Sequence, residues 1–119
     1  MLMTYPDLPW YFGVRPECFD KATGSFKGTP QVRDFVTMTV SGQRVMSLFT
    51  SKALALEHHK KAGNHVAVIS ADDEESMAEI LEGVQPWGVA FDFVDVNTPA
   101  EVHEIANVLA WLNAGLRRN

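Results

Sequence analysis

The chain reads as an α/β protein: a β-hairpin followed by helix, strand, helix, strand and helix, with a mixed, partly parallel sheet at its centre. Three observations predict this. Thr98-Pro99-Ala100-Glu101 carries helix-start signals, and apolar residues follow at Val102, Ile105, Ala106, Leu109, Leu112 and Leu116, a stripe at helical spacing. Immediately before it, Val89, Phe91 and Phe93 alternate with Ala90, Asp92 and Val94, as in a strand. Finally, extended and helical runs alternate from residue 43 onward, which implies crossover units and parallel pairing.

Residues 1–33 form an irregular arm, punctuated by Pro6, Pro9, Pro16, Pro30, Gly13, Gly24 and Gly28. Trp10, Tyr11, Phe12, Phe19 and Phe26 lie in it, and aromatics of that size are expected to pack onto the rest of the domain. Pro9 to Val14 suits a short edge strand, and Asp20 to Gly24 a turn. Phe35 to Val40 and Gln43 to Phe49 are extended runs joined by Ser41-Gly42, a hairpin signature. Thr50 or Ser51 then caps a helix ending near Ala62, with Gly63 as its left-handed stop and Leu54, Ala55 and Leu56 as a weak apolar face. His65 to Ile69 is a short apolar strand, expected beside the strand from Trp87 to Val94. Between them lies a helix with Asp72 and Glu75 at capping-box spacing. Its apolar residues are Met77, Ile80, Leu81 and Val84, and Pro86 stops it.

With 119 residues, no linker and no internal repeat, residues 1–119 make one domain. Apolar residues are 46% of the chain, enough to exclude disorder as its general state. The net charge of −5 argues against nucleic acid as a partner, because a nucleic-acid module needs a basic footprint to displace counterions. It argues equally against an anionic membrane surface, and no apolar run reaches the roughly 20 residues of a membrane-spanning helix. Cys18 is the single cysteine, so no intrachain disulfide forms and a cytoplasmic location is the simplest expectation. The N-terminus has no basic start followed by an apolar stretch, so no signal peptide is expected.

In an open α/β sheet, ligands bind beyond the carboxyl ends of the parallel strands. Those ends place Thr50 and Ser51, then Ser70, Asp72 and Asp73, then Asp95, Asn97 and Thr98 in one region. Thr50, Ser51, Asp72, Asp73, Asp95 and Asn97 are therefore the candidate ligand-binding residues, with the three acids able to hold a hard divalent cation. Capping of three successive helices requires the same residue types at the same positions. A phosphate site lacks its Gly-rich loop.

The adjacent His58 and His59 project about 100° apart on a helix and cannot clasp one metal, and no zinc-ligand spacing occurs. His58, near a helix carboxyl end, suits a solvated position, and Cys18 reads as a small apolar packing residue. No catalytic residue, metal site or cofactor is identified. Trp10, Tyr11, Phe12 and Trp111 are candidate interface residues if part of the aromatic arm stays exposed.

Arg44-Val45-Met46-Ser47-Leu48-Phe49-Thr50-Ser51-Lys52-Ala53 resembles the strand-to-helix motif of SseB-like domains, and Gly88-Val89-Ala90-Phe91-Asp92-Phe93 resembles their final strand. The resemblance spans residues 44 to 95. Asp95-Val96-Asn97-Thr98-Pro99 stands where that family has an Asn-Pro pair. The chain also resembles small uncharacterised bacterial proteins of its size. The resemblance implies a binding or accessory module and transfers no catalytic residue. The expected function is thus a cytosolic accessory or protein-interaction module, engaging a protein partner or itself as a homodimer. The alternative is a small-molecule or divalent-metal-binding domain, which could be an enzyme.

Overall fold

Ser41 and Gly42 both take positive φ, 51° and 80°, the pair of left-handed residues that a tight two-residue hairpin turn requires. In the computed structural model, which describes residues 5–20, 22, 25–26, 34–92 and 101–117, this turn joins β4 (Thr37–Val40) to β5 (Gln43–Leu48). The preceding strands are β1 (Trp10–Val14), β2 (Phe19–Asp20) and β3 (Ser25–Phe26). After the hairpin come α1 (Lys52–Ala62), β6 (Ala67–Ala71), α2 (Glu74–Val84), β7 (Gly88–Phe91), β8 (Val102–Glu104) and α3 (Ile105–Arg117).

The predicted α/β class with a mixed sheet holds. β5 pairs antiparallel with β4 and parallel with β7, and β7 pairs antiparallel with β8. β6 lies elsewhere than expected. It pairs with β1, in antiparallel register from Trp10↔Ala71 to Val14↔Ala67, and not with β7. β1 in turn reaches β5, because Tyr11 and Phe49 exchange backbone hydrogen bonds of 2.8 and 2.9 Å. At its other end β1 meets the segment before β4, with Val36 N–H donating to Gly13 C=O and Arg15 N–H to Asp34 C=O. The stretch expected to be an edge strand is therefore an interior one, wedged between β6 and the open end of the hairpin. β1 runs against both neighbours, so β5, β6 and β7 all point the same way.

β1 takes that place because its residues suit both layers. Trp10, Phe12 and Val14 are buried in the main core, with Met46, Leu48 and Val89 of the central strands. Met77, Ala78, Leu81 and Val84 of α2 and Val108 and Leu112 of α3 close this core from above. Tyr5 and Trp111 complete it through aromatic edges: Trp10 stacks on Trp111 at 5.9 Å and meets Phe91 edge-on at 4.8 Å. On the other face of β1, Gly13 lies under α1, so helices cover the two faces of the sheet.

Several details differ from the sequence expectation. The helix expected from Thr98 begins at Ile105, and Val102–Glu104 is a strand instead. Gly88 allows this: a Cβ there would lie 2.6 Å from the His103 carbonyl oxygen, so only glycine admits β8 at that spacing. The buried stripe of α3 includes Val108, whereas Ala106 is exposed. β6 starts at Ala67, which leaves His65 exposed outside it. Asp73 caps α2, rather than Asp72. The expected turn at residues 21, 23 and 24 and the caps at Thr98 and Pro99 lie outside the described residues.

Candidate functional site

The shared direction of β5, β6 and β7 gathers their carboxyl ends at one end of the sheet, as the sequence implies. Each polar side chain described there has a partner within the chain. Thr50 donates its N–H to Asp92 Oδ1 at 2.8 Å and its hydroxyl to Asp92 Oδ2 at 2.9 Å. This ties the end of β5 to the end of β7, where Asp92 N–H also donates to Leu48 C=O at 2.8 Å. Asp92 adopts φ of 55° to do so, a left-handed conformation that Asp tolerates better than most residues. Ser51 caps α1, its side chain accepting from Leu54 N–H at 3.2 Å. Ser70 donates to Asp72 at 2.8 Å. Asp73 accepts from Ser76 N–H at 2.8 Å, and this bond holds its carboxyl below the ordinary range.

Asp92 stands apart from Asp72 and Asp73. β1 pairs with β6 and meets the chain just after β5 at Tyr11↔Phe49, so β6 and β7 are not neighbours. Thr50 and Asp92 thus form one cluster, and Asp72 with Asp73 another. Asp95 and Asn97 lie outside the described residues. Among the described residues, no group of three or more His, Cys, Asp or Glu side chains is placed to hold a metal ion.

The aromatic candidates separate as well. Trp10 and Phe12 are buried inside the domain and offer no surface to a partner, which corrects the expectation that they form an interface. Tyr11 and Trp111 are half-buried. Among the described residues, the large apolar side chains that reach the surface are Trp87, at 43% exposure, with Leu56 and Val40. Trp87 directly precedes β7 and donates its N–H to Arg44 C=O at 2.9 Å. Arg44 pairs with Thr39, so Trp87 and Val40 share the hairpin end of the sheet, opposite the capped carboxyl ends.

One chemically notable residue escaped the sequence reading. His59, on α1, is only 3% exposed. Its Nδ1 contacts the Asn64 amide nitrogen at 3.1 Å, while Nε2 has no hydrogen-bond partner. Burial, reinforced by neighbouring His58, pushes its pKa from 6.5 down to about 4. His58, expected to be solvated, is half-buried with its ring 5.1 Å from Phe49. Gly13 was the available signal: an isolated glycine within a strand marks a close approach, and here the His59 ring occupies the space a Cβ would fill. Cys18 is half-buried, with Sγ 2.9 Å from Arg15 C=O, and burial raises its pKa, so its thiol is poorly suited to attack. No helix among the described residues is long and apolar enough to cross a membrane. Compared with protein-family models and with curated proteins, the chain matches none.

Proposed function

We propose that this chain is an accessory or protein-interaction module of the cytosol, without catalysis of its own, acting on a protein partner or a second copy. The observation that carries the reading is the occupation of the strand-end polar groups. Thr50, Ser51, Asp72 and Asp73 are engaged in capping and in joining strands, and Asp72 and Asp73 follow β6 whereas Asp92 follows β7. A catalytic centre needs such groups turned toward a common point, with nucleophile and base within hydrogen-bond reach. Among the described residues, the exposed large apolar side chains are Leu56 on α1 and, at the end opposite the capped strand ends, Trp87 and Val40, which offer a surface for recognition. Exposed Trp is a frequent anchor of protein contacts. The acidic net charge disfavours nucleic acid.

Light scattering over a dilution series and affinity capture, each repeated with Trp87→Ser, test the reading. The expected result is an assembly or a captured protein that weakens with Trp87→Ser while the melting temperature is unchanged. A strictly monomeric chain whose melting point rises with a divalent cation or a metabolite would refute it and favour ligand binding. Such linkage grows with ligand concentration over Kd.

A further inference from the structure

Helix α1 buries less apolar surface than α2. Ala55 and His59 are its buried residues, whereas α2 buries Met77, Ala78, Leu81 and Val84. Elements with few buried apolar contacts open locally at lower cost than the domain as a whole. One of its two buried residues is thus a titratable ring. It lies against the bare backbone of Gly13, with the would-be Cβ position 2.6 Å from Nε2. Its ring centroid is 4.8 Å from that of His58 and 6.0 Å from that of Phe49.

The charged neighbour that acts on the ring is His58, a like charge when protonated. Of the strands that α1 packs against, β1 contributes Tyr11 as its ionisable side chain and β6 contributes none. The segment 45–49 of β5 and Phe49 has none either. On α1 itself stand Lys52, Glu57, His58, Lys60 and Lys61, and Glu57 is paired with Lys61 at 3.1 Å. Among the described residues, a proton added to His59 would create a buried charge facing a second histidine and no carboxylate, which is strongly unfavourable.

We propose that α1 is an acid-released flap whose docking requires an uncharged His59, so that on acidification its carboxyl-terminal turns leave β1 and β6 while α2 and α3 stay folded. The released state takes up the proton and uncovers Phe49, which is otherwise fully buried.

The sign follows from linkage. His59 has a lower pKa docked than exposed, so the open state binds more protons between the two values, and docking weakens as pH falls through that window. From about pH 7 to about pH 4.5 the opening constant of α1 should rise about 50-fold, for a ring that titrates at about 4 docked and 6.5 free.

Backbone hydrogen exchange on the full chain, corrected for intrinsic rates at each pH, measures this directly. The amides of residues 57–62 should lose protection on acidification while those of α2 hold. His59→Gln should abolish the pH dependence, and His58→Gln should keep most of it. Protection of α1 that ignores pH, loss of α1 and α2 together, or an unchanged response in His59→Gln would each overturn the proposal. If His59→Gln does not fold, an NMR titration of the His59 ring in the unaltered chain decides instead. A midpoint near the ordinary histidine value overturns the proposal, and one well below it supports the proposal.

Discussion

Gly13→Ala tests the contact between β1 and α1 at the level of single atoms. The new Cβ would lie 2.6 Å from His59 Nε2, 2.9 Å from Cε1 and 3.2 Å from Cδ2. All three are inside ordinary contact, so the ring must retreat. Its retreat is opposed by His58 on one side and by the Asn64 contact at Nδ1 on the other. Forcing a methyl into such a space costs about 1–3 kcal/mol. Replacing glycine also narrows the unfolded ensemble, which returns about 0.4–1 kcal/mol, and Gly13 has no positive φ to forbid alanine. The net expectation is a loss of about 1–2 kcal/mol. In a His59→Ala background the obstruction is gone, and the same substitution should be neutral or slightly stabilising. Denaturant unfolding of the four proteins of this cycle should therefore show a coupling of about 2 kcal/mol, with unchanged m-values. Equal effects of Gly13→Ala in both backgrounds, or no effect in the parent, would refute the packing of His59 on β1.

Other consequences are equally direct. Trp10→Ala should cost about 3–5 kcal/mol in thermal or denaturant unfolding, whereas Trp87→Ser should change stability by no more than about 0.5 kcal/mol, since one ring is buried and the other is 43% exposed. At the β5–β7 junction, Asp92→Gly should destabilise less than Asp92→Ala. Both lose the Thr50 hydrogen bonds, but only alanine also strains the left-handed backbone, by about 1–2 kcal/mol, and melting temperatures should follow that order. Asp73 is depressed by its bond from Ser76 N–H, so its stabilisation is present above the unfolded pKa and disappears as pH falls through the lower folded value. Asp73→Asn keeps an acceptor for the cap and should flatten that acid limb of the stability profile.

Local chemistry and periodicity were enough to reveal most elements. Ser41-Gly42 marked the hairpin, Ser51 and Gly63 bounded α1, and Met77, Leu81 and Val84 marked the buried face of α2. These signals are legible because each depends on neighbours a few residues away: a φ sign, a cap, a side-chain period. The strand-end residues were likewise identifiable by position, since residues following parallel strands must collect at one end of the sheet. What they do there was not legible, because capping and ligand binding call for the same short polar side chains.

The sequence by itself determined the α/β class, the order of hairpin, helices and strands, and the acidic, cysteine-poor character of the chain. Only the tertiary structure decided which strands adjoin. Strand partners are chosen by distant backbone groups and by how side chains fill both faces at once, and no local pattern encodes that choice. Trp10, Phe12 and Val14 fit the main core on one face of β1, while Gly13 leaves room for His59 on the other. An arm that reads as irregular therefore displaces β6 from β7, keeps Asp72 and Asp73 apart from Asp92 and buries a histidine.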